Sequence, residues 1–363
     1  MARVVTFGEV MGRIAAPGFL RLRQALPGPL DVTFGGAEAN VAASLAMLGA
    51  QAAFVTALPD NAIGDACSAS LKALGIDTQH IIRTDRGRLG LYFLEAGANQ
   101  RPSQVVYDRA GSAVSITAAD RYDWAAIFDG AVWFHVTGIT PAISQTAAEA
   151  MLAAVQAAKT AGLTVSCDLN FRKKLWRWQA ATSPKELAEK TMREVLPHAD
   201  LVVANEEDCA AVLGIHAAQT DVEAGELRIA SYPAVARQLV AQFPNVTQVG
   251  ITLRESISAS HNNWGAMLYC VAEDRAYFAP LQGDAYRPYE IRNMIDRVGG
   301  GDAFAAGLIF ALTTAELNSP DTAVRFATAA SCLAHSIVGD FNYSSRAEVE
   351  SLMAGSGSGR VVR

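Results

Sequence analysis

The sequence lacks the features of a membrane, secreted or nucleic-acid-binding protein. Its 363 residues include five cysteines, which lie far apart without a C-x-x-C pair and therefore indicate free thiols. No apolar run approaches the roughly 18 residues that a membrane-spanning helix needs. The amino-terminal stretch MARVVTFGEVMG reaches Glu9 before an apolar signal segment could form. A formal net charge of −6 without a basic cluster argues against nucleic acid as a partner, so we expect a cytoplasmic globular protein.

Common nucleotide-binding motifs are absent too. The chain contains no Gly-Lys pair, which excludes a P-loop, and it lacks the HRD and DFG motifs of protein kinases. No predicted strand is followed by G-x-G-x-x-G, so dinucleotide binding has little support.

Strand-like and helix-like segments alternate along the chain, which is typical of a parallel sheet covered by helices. Residues 10–33, rich in proline and glycine, and 88–108, which resemble a hairpin, break this alternation. We interpret residues 1–353 as one α/β domain with a small β appendage drawn from both regions, and 354–363 as a disordered tail. The segment 216–233 has no interpretation. The main-sheet strands are predicted at 3–10, 52–59, 131–138, 163–170, 200–208 and 247–253, with a second hairpin at 265–280.

Polar residues follow three of the predicted strands at the point where each strand ends. They form the segments DLNFR (168–172), NEED (205–208) and TLRES (252–256). Each could be a turn or a helix cap by itself. Because ligands bind at the carboxyl ends of strands in open parallel sheets, their joint occurrence predicts a binding site there.

The stretch DRVGGGDAFAAGLIFAL, residues 296–312, places three glycines before an apolar, helix-like run. Without a Cβ, successive N–H groups can converge on one anion, and a helix N-terminus adds partial positive charge. Phosphate is a common occupant of such a site. The alternative is that Gly299, Gly300 and Gly301 only allow a helix and a strand to pack closely.

Asp302 follows the three glycines directly. A carboxylate in the first turn stabilises a helix, so capping alone could account for it. A carboxylate beside an anion site is also where a general base would stand if a hydroxyl attacked phosphorus. We favour this second role.

Two segments resemble the signatures of a known family. DRVGGGDAFAAGL (296–308) resembles the D-x-x-G-x-G-D-x-F-x-x-G motif of the ribokinase-like (PfkB) carbohydrate kinases, and FGGAEANVAASLAMLG (34–49) resembles their amino-terminal G-G-x-x-x-N-x-A segment. The resemblance covers nearly the whole chain. It implies an α/β fold, with a three-layer α/β/α core, a mostly parallel central sheet and a small β-sheet lid. It also implies ATP-dependent phosphorylation of a sugar.

The resemblance also implies roles for individual residues. Asp302 would be the general base and the amides of Gly299–Gly301 the anion hole, while Asp296 would be structural. The substrate hydroxyls would contact residues of the amino-terminal signature, namely Gly35, Gly36 and Asn40.

A Mg²⁺ site is implied by NEED, which matches the family's N-x-x-E motif. Asn205 and Asp208 would organise the ion, through water. Asp stands where the family usually has Glu, so Glu206 and Glu207 are alternatives for that role.

Further stretches resemble the family members that phosphorylate 2-keto-3-deoxygluconate at its 6-hydroxyl. This substrate is an acid, so its site needs a cation, and Arg109 and Arg172 are the candidates. Either could bind a phosphate instead of the substrate carboxylate, and the further alternative is that both are surface or structural arginines. Tyr92 and Tyr107 would line the sugar from the lid, with hairpin packing as the alternative for Tyr92. The stretches include VVYDRAGSA (105–113), DLNFRKKLW (168–176) and HSIVGDFN (335–342).

On the nucleotide side, TLRES and CLAHSIVGDFN (332–342) resemble the family's ATP loops. Thr252 and Arg254 would approach the phosphates, and Cys332 and His335 would flank the adenine. A lone histidine on a helix is often a packed or capping residue, and that alternative stays open for His335.

The leading prediction is therefore a sugar-acid kinase. The alternatives are a ribokinase-like kinase for a neutral ketose such as fructose or for a related deoxyketo acid, and a non-catalytic sensor. Asp302 argues against a sensor, because a binding protein needs no base. The lid of these kinases often doubles as a dimer interface, so a homo-oligomer is expected.

Overall fold

The computed structural model describes residues 2–217 and 229–355. Most of the segment 216–233 and of the predicted tail 354–363 lies outside the described residues. Within the described ranges, no helix combines the length and the apolar character needed to cross a membrane.

The strands follow the predicted order along the chain. They are β1 (Arg3–Phe7), β2 (Met11–Ala15), β3 (Asp31–Gly35), β4 (Gln51–Val55), β5 (Ala57–Pro59), β6 (Ile82–Thr84), β7 (Gly90–Glu95), β8 (Gln104–Asp108), β9 (Trp133–Thr137), β10 (Thr164–Asp168), β11 (Leu201–Ala204), β12 (Gln248–Ser256), β13 (Asn262–Cys270), β14 (Arg275–Ala279), β15 (Leu281–Gln282), β16 (Ala285–Tyr286) and β17 (Tyr289–Ile291).

Helices connect most of the main-sheet strands, and several begin at a side-chain cap. Ser144 accepts a hydrogen bond from the Ala147 amide, and Ser183 forms a capping box with Glu186. The helices are α1 (Leu22–Ala25), α2 (Ala37–Leu48), α3 (Ala62–Ala73), α4 (Ala113–Ile116), α5 (Trp124–Phe128), α6 (Ile139–Ile143), α7 (Gln145–Thr160), α8 (Pro184–Val195), α9 (Asp208–Leu213), α10 (Tyr232–Gln242), α11 (Gly300–Leu312), α12 (Pro320–Ala334) and α13 (Arg346–Met353).

The central sheet has the order β14-β13-β12-β11-β10-β9-β1-β4, with β17 paired to β13. Pairing is parallel from β4 to β12 and antiparallel among β12, β13 and β14. The predicted mostly parallel sheet and the hairpin at 265–280 are thus confirmed. Strand β12 runs on to Ser256, past the predicted end at 253, because it pairs with β13 over its whole length.

Successive residues of a central strand face opposite helical layers, as the two-residue period of a strand requires. Val4 belongs to the core cluster that contains residues of α2, α11 and α12, whereas Val5 belongs to the cluster that contains residues of α7 and α8. The sheet is therefore buried on both faces between two layers of helices, which confirms the three-layer core.

A separate small sheet has the order β3-β2-β7-β8. It takes its strands from the two regions that break the alternation, and β7 and β8 form the predicted hairpin. Its inner face places Arg13 and Tyr92 toward the central sheet, where both side chains are buried. The small sheet thus covers the site described next.

Candidate active site

A cavity of about 270 Å³ opens at the carboxyl ends of the central strands, under the small sheet. Asp168 ends β10, Asn205 follows β11 and Thr252 lies in β12, and all three line this cavity. The three polar strand ends that the sequence singled out therefore meet at one place.

The glycine triplet forms the start of α11 at the cavity wall. Gly299 precedes the helix with a φ of 84°, a left-handed conformation that suits glycine. A Cβ on Gly299 would come within 2.4 Å of the Asp340 carbonyl oxygen, and one on Gly300 within 2.7 Å of the His335 ring. Close packing thus explains these two glycines. Space is open beside Gly301, where the first helical amides, which have no partner within the helix, line the cavity.

Asp302 lies in the first turn of α11 and is buried. Its Oδ2 accepts a hydrogen bond of 2.7 Å from Asn40 Nδ2, and Asn40 Oδ1 accepts one from the Gly36 amide. Burial raises the pKa of Asp302 to about 6, the Asn40 hydrogen bond lowers it, and the Asp340 carboxylate raises it. Residues of the two signature segments are therefore in direct contact.

Arg172 is a cation whose charge lowers the pKa of several buried carboxyl groups in the cavity. Burial and neighbouring carboxylates raise the pKa of Asp168, and Arg172 opposes this shift there as it does at Asp208 and Asp302. Its own side chain is exposed, donates only to the Phe171 carbonyl and forms no ion pair with any described residue. The guanidinium is consequently available to a ligand.

Arg109 also lines the cavity but is already paired. Its Nε donates to Glu9 Oε2 at 2.7 Å, Nη2 contacts the same oxygen, and both side chains are buried. The guanidinium lies 5.5 Å from the centre of the Tyr107 ring. Of the two arginine candidates, Arg172 is therefore the one without a carboxylate partner among the described residues.

Three of the four residues predicted to contact the nucleotide lie at the cavity. Thr252, Arg254 and His335 line the cavity, and Arg254 forms an ion pair of 3.1 Å with Glu206. His335 packs on the Trp264 ring, and burial lowers its pKa to about 4, so the imidazole is neutral. Its Nδ1 lies 2.8 Å from the Ser331 carbonyl oxygen, as expected for a packed residue.

Two predicted ligand residues do not line the cavity. Cys332 is on α12 and lies beside Tyr289, because one face of this helix packs toward the edge of the sheet. Gly35 lies under the Asp340 side chain, and a Cβ there would come within 2.2 Å of Asp340 Oδ2. Gly35 thus makes room for a carboxylate.

The side-chain oxygens of the two predicted metal residues, Asn205 and Asp208, are engaged by hydrogen bonds from nearby backbone amides. Asn205 Oδ1 accepts from the amides of Glu207 and Asp208, while the Asp208 oxygens accept from the amides of Phe171 and Asn205. Among the described residues, no group of three or more His, Cys, Asp or Glu side chains could hold a metal ion. The oxygen donors suit Mg²⁺, and their engagement with amides fits contact through water.

The cavity-lining residues that the sequence reasoning missed include Arg297, Trp264 and Asp340. Arg297 stands inside the glycine motif and Asp340 inside the quoted HSIVGDFN segment, so both lay next to recognised signals. Asp340 is bound by Arg13 and Tyr92 of the small sheet, residues that no local pattern links to it.

The comparisons with known proteins agree with this geometry. The model of the pfkB family carbohydrate kinases matches residues 1–240, and the chain belongs to this family; it is a carbohydrate kinase. It is similar to a 2-dehydro-3-deoxygalactonokinase of Haloferax volcanii, at 31% identity over 99% of this chain and 98% of that protein.

Two solved structures extend the similarity. The 2-dehydro-3-deoxygluconokinase of Thermotoga maritima has a TM-score of 0.87 and 42% identity, covering 98% of this chain and 100% of that one. A PfkB family carbohydrate kinase from Listeria grayi has a TM-score of 0.84 and 32% identity, covering 97% and 99%.

The environment of Asp302 leads to a testable pKa. We expect its carboxyl group to titrate near pH 6, ionised above that value, because burial disfavours the charged form. Asn40→Leu removes a hydrogen bond to the carboxylate and should raise the pKa further. Carboxyl ¹³C NMR of both proteins measures this shift; an unchanged or lower pKa in the variant would contradict the assigned contact.

Proposed function

We propose that this kinase transfers the terminal phosphoryl group of ATP to the 6-hydroxyl of 2-keto-3-deoxygluconate, also called 2-dehydro-3-deoxygluconate. The observation that carries the proposal is the Arg172 guanidinium, which lines the cavity without an ion pair to any described residue. A neutral ketose offers such a cation only uncharged oxygen acceptors, whereas the carboxylate of a sugar acid can bind it through two parallel, charge-assisted hydrogen bonds. The keto-deoxy sugar acids in the names of the similar proteins support the same choice.

Asp302 is the proposed base. Its carboxylate accepts the proton of the 6-hydroxyl while that oxygen attacks the γ-phosphorus, and the bond from this phosphorus to the ADP oxygen breaks. The products are the sugar 6-phosphate and ADP, with the proton on Asp302. With a pKa of about 6 the carboxylate is about nine-tenths ionised at pH 7 and is a stronger base than an exposed aspartate.

The first amides of α11, at Gly300 and Gly301, would stabilise charge on the transferring group, because they line the cavity at a helix N-terminus, where amides have no partner within the helix. Thr252, Arg254 and His335 line the cavity and would contact the nucleotide. Mg²⁺, when bound, neutralises phosphate charge, and Asn205 and Asp208 would hold it through water.

The outer face of the small sheet supports self-association. Val32, Ile14, Phe93 and Val106 are paired neighbours across the four strands and form one apolar row on this face. Val32 and Val106 are 65% and 57% exposed. Because such a row is costly to leave in water, we include in the proposal a homo-oligomer formed through this face.

The proposed base is tested by the substitution Asp302→Asn. We expect kcat to fall by about a hundredfold or more, because an amide cannot accept the proton, while both ligands still bind in calorimetry. Asp321→Asn is the matched control, since Asp321 occupies the first turn of α12 away from the cavity. Near-wild-type turnover in Asp302→Asn would show that the carboxylate serves only the helix.

The substrate is tested by ADP release with Mg-ATP and four sugars: 2-keto-3-deoxygluconate, 2-keto-3-deoxygalactonate, fructose and ribose. We expect turnover to be confined to the keto-deoxy acids. Turnover on fructose or ribose instead would keep the kinase assignment and reject the carboxylate argument.

The role of Arg172 is tested on the same substrates. Arg172→Gln should raise the KM for the sugar acid by about 10- to 100-fold and leave the KM for ATP nearly unchanged. Lys173→Ala removes the adjacent exposed cation and is the control. Equal effects of the two substitutions would show that Arg172 contributes only general positive charge.

The oligomer is tested by analytical ultracentrifugation. Val106→Glu places a charge in the apolar row and should lower the sedimentation coefficient toward that of a monomer. Val132→Glu, at a position 49% exposed outside the small sheet, should leave the assembly intact. A wild-type protein that sediments as a monomer would reject the interface.

A further inference from the structure

Arg297 lines the cavity and has no role in the mechanism above. It follows Asp296 directly, and the Asp296 carboxylate accepts its main-chain amide at 2.8 Å. The Arg297 side chain is half-buried, yet it forms no hydrogen bond and no ion pair with any residue in the ranges 2–217 and 229–355. Since a guanidinium carries five N–H donors, this group is available to an anionic ligand.

A second guanidinium, that of Arg254, lies on the same side of the cavity. Burial and the Arg254 charge lower the pKa of Arg297, while the Glu206 carboxylate raises it, so the three charged groups are neighbours. Glu206 forms its ion pair of 3.1 Å with Arg254, whose Nε is buried without a partner in the described part of the chain. One carboxylate therefore stands against two cations, and this part of the wall carries excess positive charge.

The two cations lie on the side of His335 rather than on the side of the proposed base. Burial lowers the pKa of the His335 imidazole, and the charges of Arg297 and Arg254 lower it further. Burial raises the pKa of Asp302, and the cation that opposes this shift is Arg172. The cavity thus has separate cations at its two sides, one near Asp302 and two near His335.

The first amides of α11 stand between these two sides. The His335 ring lies beside Gly300, where a Cβ would come within 2.7 Å of it, and Asp302 follows directly after Gly301. In the proposed transfer the γ-phosphoryl group lies at these amides and the attacking hydroxyl at Asp302. Because the attacking and leaving oxygens are roughly in line, the leaving oxygen faces the side of Arg297.

We propose that Arg297 binds the β-phosphate of the nucleotide and is a catalytic residue of the transfer. When the bond from the γ-phosphorus to the bridging oxygen breaks, the electron pair stays on that oxygen, and the guanidinium donates hydrogen bonds to the β-phosphate while keeping its own protons. Its charge and its planar set of donors stabilise the leaving group. The proposal rests on the ATP donor of the proposed function and on none of its statements about the sugar.

The test compares ADP with AMP, which lacks the β-phosphate, in calorimetry with Mg²⁺ and without sugar. Wild type should bind ADP more tightly than AMP. Arg297→Gln should weaken ADP binding by about 10- to 100-fold and leave the Kd for AMP within about twofold, because it removes contacts to the β-phosphate alone. In steady-state kinetics it should also lower kcat by about tenfold or more, with the KM for the sugar nearly unchanged.

Arg292→Gln is the matched control, because Arg292 lies earlier in the same segment, has a side chain 72% exposed and pairs with Glu290. It should bind both nucleotides as wild type does. Arg297→Lys keeps the charge but loses the planar set of donors, so its ADP affinity should fall between those of wild type and Arg297→Gln. An Arg297→Gln variant that binds ADP like the control would overturn the proposal, and so would equal losses for ADP and AMP.

The wild-type values decide the matter even if Arg297→Gln does not fold, since equal affinities for ADP and AMP would leave no β-phosphate contact to assign. Failure of the proposed function looks different. Another sugar substrate would leave these affinities as expected, because no sugar is present in the titration. A wild type that binds neither nucleotide would reject the ATP donor itself and the role of Arg297 with it.

Discussion

The burial of carboxylates at one edge of the sheet is the constraint on which this site depends. An ionised carboxyl group is costly to remove from water unless donors or cations surround it. Here each group has its own means of support: an amide side chain for Asp302, backbone amides for Asp208, and Arg13 for Asp296 and Asp340. The exposed Arg172 adds a cation that none of them binds directly. In the proposed function, this uneven balance would leave negative charge at the proton acceptor Asp302 and positive charge at Arg172, where an acid would dock.

Much of the fold followed from local patterns in the sequence. The alternation of buried strands with capped helices was sufficient for the three-layer core, since each such pattern depends on neighbours in the chain. Strand ends were harder to place. The predicted strand 52–59 is divided into β4 and β5 at Thr56, because β5 leaves the central sheet to pair with β6. That choice depends on a partner distant in the sequence.

The residues of the candidate site also fall into those recognisable from the local sequence and those that depend on distant partners. Asp302 and Asn40 could be identified because each sits in a recognisable segment, and their contact was then observed. Asp340 could not be assigned a role, because its partner Arg13 lies 327 residues away. The pairing of Arg109 with Glu9 was equally invisible, so the two arginine candidates could be separated only once both were placed in space.

The small sheet is assembled from two chain segments that leave and re-enter the core near its carboxyl edge. Its inner face supplies Tyr92, Tyr107 and Arg109 to the cavity, while the glycine-led helix α11 belongs wholly to the core. In the proposed function, recognition of the acceptor would therefore be shared between the small sheet and Arg172 of the core, whereas handling of the phosphoryl group would fall to the core alone. Substitutions in the small sheet could redirect such an enzyme toward another sugar during evolution without disturbing the chemistry. Arg13 sets the limit of that freedom, because it joins the two parts through a buried ion pair.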